Sequence, residues 1–157
     1  MSYSTIGEAI YAYMEELDIS PALPEPEEGD PDSGWGDKLN RPPKSDELHV
    51  YPAFVVMPAR DTQELGDTET DFDSVTYSVY TIFSFYDATM SEEQIRGVVD
   101  IVRTKFRELR YDPSPLLAAA YNLSFAGEWG GTQEQGERWY RLDVTVNIHE
   151  SLIEESP

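Results

Sequence analysis

The chain predicts an α+β fold. Its expected form is a mainly antiparallel four-stranded sheet with two helices packed on one face, in the order helix, strand, strand, helix, strand, strand. Three observations carry this. Two segments place apolar residues three and four apart, the spacing of a helix with one buried side. Several others alternate apolar and polar residues with period two, the signature of strands. Clusters of Pro, Gly, Asp and Ser separate the segments.

The first helix is predicted over Thr5 to Leu17. Ile6, Ala9, Ile10, Tyr13, Met14 and Leu17 form its stripe, Thr5 with Glu8 reads as a capping box, and Asp18 and Pro21 end it. Residues 24–47 then read as a long acidic loop. Prolines interrupt it, Glu25, Glu27, Glu28, Asp30, Asp32 and Asp37 charge it, and Trp35 sits between Gly34 and Gly36. Loops above about 12–15 residues are uncommon in compact domains unless functional or disordered. Two readings follow: an arm that docks on a neighbouring copy or another protein through Trp35, or a plain acidic loop.

A first strand is expected from His49 to Met57, closed by Pro58, with Pro52 placing it at a strand start or a sheet edge. Ala53, Val55 and Met57 alternate with Phe54 and Val56, so both its faces are expected to be partly buried. Residues 59–72 read as a polar connection. The long strand Asp73–Tyr86 is the most regular element. Val75, Tyr77, Val79, Thr81, Phe83 and Phe85 point one way, and Thr76, Ser78, Tyr80, Ile82, Ser84 and Tyr86 the other. The second set mixes tyrosines and an isoleucine with hydroxyls, which suits a protein partner better than water.

The second helix starts near Thr89–Ser91, where Thr89/Glu92 and Ser91/Gln94 are alternative capping boxes. Its stripe is Ile95, Val98, Val99, Val102, Phe106 and Leu109. Arg103, Arg107 and Arg110 gather near its end, where cations suit the helix dipole. A hairpin follows. Tyr121, Leu123 and Phe125 alternate up to Trp129, a turn runs from Gly130 to Gly136, and the return strand sets Tyr140, Leu142, Val144, Val146 and Ile148 opposite Trp139, Arg141, Asp143, Thr145, Asn147 and His149. Residues 151–157 are a short acidic tail.

At 157 residues the chain is expected to be one domain, 1–157, able to bury roughly 68–70% of its unfolded surface. It contains no cysteine, which excludes disulfides and thiolate metal sites. No apolar run approaches the roughly 20 residues that cross a bilayer, so no membrane partner is expected. The segment Met1–Thr5 lacks the basic residues and apolar core of a signal peptide, and synthesis in the cytoplasm is expected.

Asp and Glu number 31 against 11 Lys and Arg, giving a net charge of −20, and the lysines are Lys38, Lys44 and Lys105 alone. Such a charge argues against gripping a nucleic-acid backbone, which needs cations to displace counterions. It fits a very salty cytoplasm, because at about 1 M salt the Debye length is about 3 Å and surface carboxylates stop repelling one another. It also fits a surface that must repel a polyanion. The two readings are compatible.

No catalytic residue, metal site or cofactor site is expected. Gly127–Gly131 lies between strands and opens no helix, so it is not a dinucleotide fingerprint. His49 and His149 lack further ligands at zinc spacing. Asp30–Asp37 lacks the register and terminal glutamate of a calcium loop, and the alternating row Asp67, Glu69, Asp71, Asp73 reads first as a solvated edge. The aromatics Trp35, Tyr80, Tyr86, Trp129 and Trp139 fall outside the expected core faces. Tyr and Trp are enriched at protein interfaces, so these five are the expected contact residues.

The stretches Tyr51–Pro58, Tyr77–Tyr86, Ser91–Val102 and Trp139–Ile148, in this order, resemble the tail terminator proteins of long-tailed phages and related archaeal viruses, also called tail completion or tail-to-head joining proteins. The likeness covers most of residues 5–150 and rests on pattern and length; the acidic loop is longer than that family leads one to expect. It implies a non-enzymatic virion protein that forms a hexameric ring on the head-proximal end of the tail tube. Its partners would be the tail tube protein and a head-closure or neck protein, with DNA passing through the channel without specific binding. The acidic balance would then point to a haloarchaeal host or to a carboxylate-lined channel. Another head–tail connector, and a halophilic cytoplasmic binding module or small enzyme, are the alternatives.

Overall fold

The computed structural model describes residues 3–23, 34–44, 47–48, 50–65, 70–84, 90–109, 111, 122–132 and 136–151. The order is α1 (Tyr3–Glu16), a short 3-10 turn (Ser20–Ala22), β1 (Lys38–Leu39), β2 (Ala53–Leu65), β3 (Thr70–Ser84), α2 (Glu92–Glu108), β4 (Asn122–Thr132) and β5 (Glu137–Ser151). The fold is α+β: two helices and an open, mostly antiparallel mixed sheet of five strands in the order β1-β2-β3-β5-β4.

One apolar cluster joins both helices to one side of the sheet. Ile6, Ile10 and Met14 of α1 and Val98, Val99, Val102 and Phe106 of α2 meet Phe54, Val56, Val79, Phe83, Leu142, Val144 and Val146. The alternation in β3 and β5 therefore selects the face the sequence indicates. Central β3 pairs with β2 through Ala53↔Ile82 to Leu65↔Asp71, and with β5 through Thr70↔Ser151 to Ser84↔Glu137.

Four details differ from the sequence-based expectation. The sheet has five strands, because two residues of the acidic loop pair in parallel with Phe54 and Val55. The strand β2 does not stop at Pro58. It passes through an irregularity between Pro58 and Arg60 and runs to Leu65, so residues expected as a polar connection form the facing arms of a hairpin. Beyond Val55 no described strand lies outside β2, and an outer strand tolerates a proline whose missing N–H faces outward. Helix α1 begins at Tyr3, which puts Thr5 inside the helix and not at its cap. Finally, β4 continues through Gly130 and Gly131 to Thr132, because ladder pairing with Trp139, Arg138 and Glu137 outlasts the glycines.

The start of α2 follows the second of the two expected boxes. The Ser91 hydroxyl accepts from the Gln94 N–H at 3.1 Å, and the Gln94 side chain accepts from the Ser91 N–H at 2.8 Å. This satisfies two backbone donors that a helix start leaves over. Thr89 lies outside the described residues.

The end of the acidic loop is a strap around the β2 edge. Trp35 is buried on the helix side, with its ring edge-on to Phe54 at 5.0 Å. Two residues later the chain donates from Asp37 N–H to Val50 C=O at 2.9 Å and accepts at Asp37 C=O from Phe54 N–H at 3.0 Å. Gly36 sits so close to this return segment that a Cβ would fall 2.2 Å from the Val50 carbonyl oxygen. Leu39 and Leu48 then reach the other side of the sheet and join Ala53, Val55 and Ile82 in a second, smaller cluster.

Candidate functional site

The sheet face away from the helices carries the features with most chemical content. Its β2 end is covered by the strap, through Leu39, Leu48 and Tyr51. Tyr51 donates its hydroxyl hydrogen toward Leu48 C=O and Glu137 Oε1, each at 3.1 Å. Burial, then the nearby Glu137 and Asp37 carboxylates, push its phenol up to about 12.

Beside the strap, Tyr80 and Trp139 pack edge to face with ring centroids 5.3 Å apart. Below them a polar ladder crosses β3, β5 and β4. Ser78 donates to Asp143 at 2.7 Å, the Thr76 and Thr145 hydroxyls meet at 2.8 Å, and Arg141 reaches Glu128 at 2.5 Å. Arg141 Nε also lies 3.4 Å from Asp143 Oδ1, an ion pair by distance that forms no hydrogen bond. Burial works against the Arg141 charge, but Asp143, the Tyr80 hydroxyl and Glu128 outweigh it and hold the guanidinium above its ordinary value. The patch is thus flat, pre-ordered and mixed: two aromatic rings, hydroxyls and one cation between two carboxylates. It matches the aromatic and arginine-rich composition of protein contact surfaces.

The five aromatics expected at a contact surface are dispersed. Tyr80 and Trp139 come together on this face. Trp129 is on the helix side, 39% exposed, stacked edge-on against Tyr140 and under the Arg138 guanidinium at 4.6 Å. Trp35 corrects the sequence reading of an anchor for a neighbour: it belongs to this chain's own core, because a large ring beside Gly34 and Gly36 can fold back onto Phe54. Tyr86 lies outside the described residues, as do His49, Asp67, Glu69 and Asp30–Asp32.

Ser78, Arg141 and Asp143 were not singled out by sequence reasoning, since each is ordinary in its strand and only the β3–β5 register makes them neighbours. A second feature escaped it too. On the helix side, a groove of about 400 Å³ runs between α2 and β4, floored by Phe106, Phe125 and Leu142 and rimmed by Arg103 and Arg107.

Among the described residues no group of three or more His, Asp or Glu is placed to hold a metal ion, and no helix is long and apolar enough to cross a membrane. Neither the known protein-family models nor the curated proteins include a match to this chain.

Proposed function

We propose that the chain is a structural virion protein of the tail terminator type, forming a ring on the head-proximal end of a viral tail tube and joining tail to head. The observation that supports this most is the unequal use of the sheet. Both helices pack on one face, while the other, beyond the strap, presents the ordered Tyr80–Trp139–Arg141–Asp143 patch to the outside. A face built this way has the composition of a subunit contact. The sequence resemblance supplies the class of assembly, and the net charge of −20 fits a channel wall along which DNA slides without sticking.

Light scattering and negative-stain microscopy of the full chain in molar potassium chloride test the reading. The expected result is a closed ring that retains no DNA in a gel shift and caps purified tail tubes. A monomer throughout the micromolar range would end it. Substituting Tyr80→Ser, which removes a ring at the centre of the patch, is expected to weaken the ring while the circular dichroism of the fold persists.

A further inference from the structure

The groove between α2 and β4 stands out electrostatically. In a chain with 31 acidic residues, Arg103 and Arg107 sit one helical turn apart on its rim, and neither forms an ion pair with a described residue. Tyr140 adds a polar group beside a floor of Phe106, Phe125 and Leu142. The groove lies along the outermost strand of the sheet. Among the described residues nothing pairs with the outer edge of β4, and Ser124, Ala126, Gly127 and Glu128 on it are exposed. Edge strands are commonly blunted by proline or lysine. The strand β4, Asn-Leu-Ser-Phe-Ala-Gly-Glu-Trp-Gly-Gly-Thr, has neither.

A free edge beside a groove with an apolar floor and cationic rim is a receptor for an extended segment carrying apolar and acidic residues together. Main-chain pairing supplies affinity, and alternate side chains supply specificity. Residues Leu152-Ile153-Glu154-Glu155 of this chain have that chemistry. In an extended strand Leu152 and Glu154 share one side, so a leucine on the floor brings a carboxylate to the arginines.

The segment cannot reach its own groove. It follows Ser151, six residues beyond Thr145, the β5 partner of Ser124 at the near end of the groove, or about 20 Å at ~3.3 Å per residue. Glu155 is four residues past Ser151, a span of at most ~14 Å. We propose that the segment 152–155 of one copy docks along β4 of the next, its Glu154 carboxylate on Arg103 and Arg107. The contact is head to tail and closes into a ring when the rotation permits. The proposal rests on the ring reading above and names the joint that would hold it.

Complementation between two full-length variants tests it. L152D/I153D spoils the segment and leaves the groove; R103E/R107E spoils the groove and leaves the segment. Each alone is expected to run as a 17.8 kDa monomer with unchanged circular dichroism. Mixed, they are expected to form a one-to-one dimer, since one intact groove meets one intact segment. A variant that merely misfolds would not complement. In the wild-type ring, amides of residues 122–132 should exchange more slowly than in L152D/I153D. A wild-type ring that survives both double substitutions with unchanged mass and exchange would overturn the proposal and leave the ring reading standing. A wild-type chain that never assembles would remove both.

Discussion

At the scale of single residues, close approach decides what each position tolerates. Gly127 faces Tyr140, whose hydroxyl oxygen would lie 1.8 Å from an added Cβ. Gly127→Ala is therefore expected to cost about 1–3 kcal/mol in a denaturant titration, the usual penalty of overpacking. Part of that loss should vanish in a Tyr140→Phe background, which removes the oxygen and leaves the ring carbon Cζ 2.5 Å from the added Cβ; an equal loss in both backgrounds would show that the hydroxyl is not the part of the clash that costs. Trp35 makes a contrasting case. Truncating it to alanine should destabilise the monomer by about 3–5 kcal/mol, as for a buried large aromatic, where an arm reaching to a neighbour would have left monomer stability alone. Its glycine neighbours made the tryptophan conspicuous in the sequence. Nothing local says that its ring turns inward onto Phe54, since that contact spans the strap.

Glu47 illustrates a local electrostatic effect within the strap. Paired with Arg41 and accepting from the Lys44 N–H, its carboxyl is held down at about 2 from an ordinary 4.5. A carboxyl depressed in the fold stabilises it above its unfolded value, and that contribution is lost as pH falls from about 4.5 through about 2. Exposed as it is, Glu47 should report the loss in its own titration more than in global stability. Carboxyl NMR should show the low midpoint in the wild type and a normal one in Arg41→Ala; a normal midpoint in the wild type would refute the pairing.

At the scale of elements, boundaries follow capping and pairing more than propensity. The Ser91–Gln94 box begins α2 where the sequence offered two equal choices. Ser91→Ala should cost ~1 kcal/mol in thermal or denaturant unfolding. Loss of well under half that value would mean that the cap is redundant with tertiary contacts. The Glu92 carboxyl in the first turn is lowered chiefly by its hydrogen bond from Arg138 of β5, so the helix start is also tied to the sheet. The strands were less legible. Residues Arg60–Leu65 look like polar linker because their alternation is weak, yet they pair with Asp71–Thr76 of β3. A polar sequence forms a strand when its neighbour supplies the ladder, and no propensity scale carries that information.

For the whole molecule, the charge sets the conditions under which the fold and any assembly exist. With −20 net charge, self-repulsion opposes compaction at low salt and fades as added salt shortens the Debye length. The melting temperature should therefore climb as potassium chloride is raised from millimolar to molar. A flat profile would assign the acidity to a channel lining and not to a salty host. The contact patch was only half visible beforehand. Tyr80 and Trp139 drew notice as aromatics on the polar side of their strands, whereas Arg141, Asp143 and Ser78 became a unit only once β3 and β5 were in register.

The sequence by itself determined the class of fold, the buried faces of the two helices and of β3, β4 and β5, and the absence of disulfide chemistry, because period, volume and composition are local and additive. The tertiary structure decided which loop residues become a fifth strand, where Trp35 goes, and which side chains share the open face. Those outcomes depend on contacts between residues distant along the chain, and a one-dimensional pattern does not encode which of several apolar or pairing partners will be nearest.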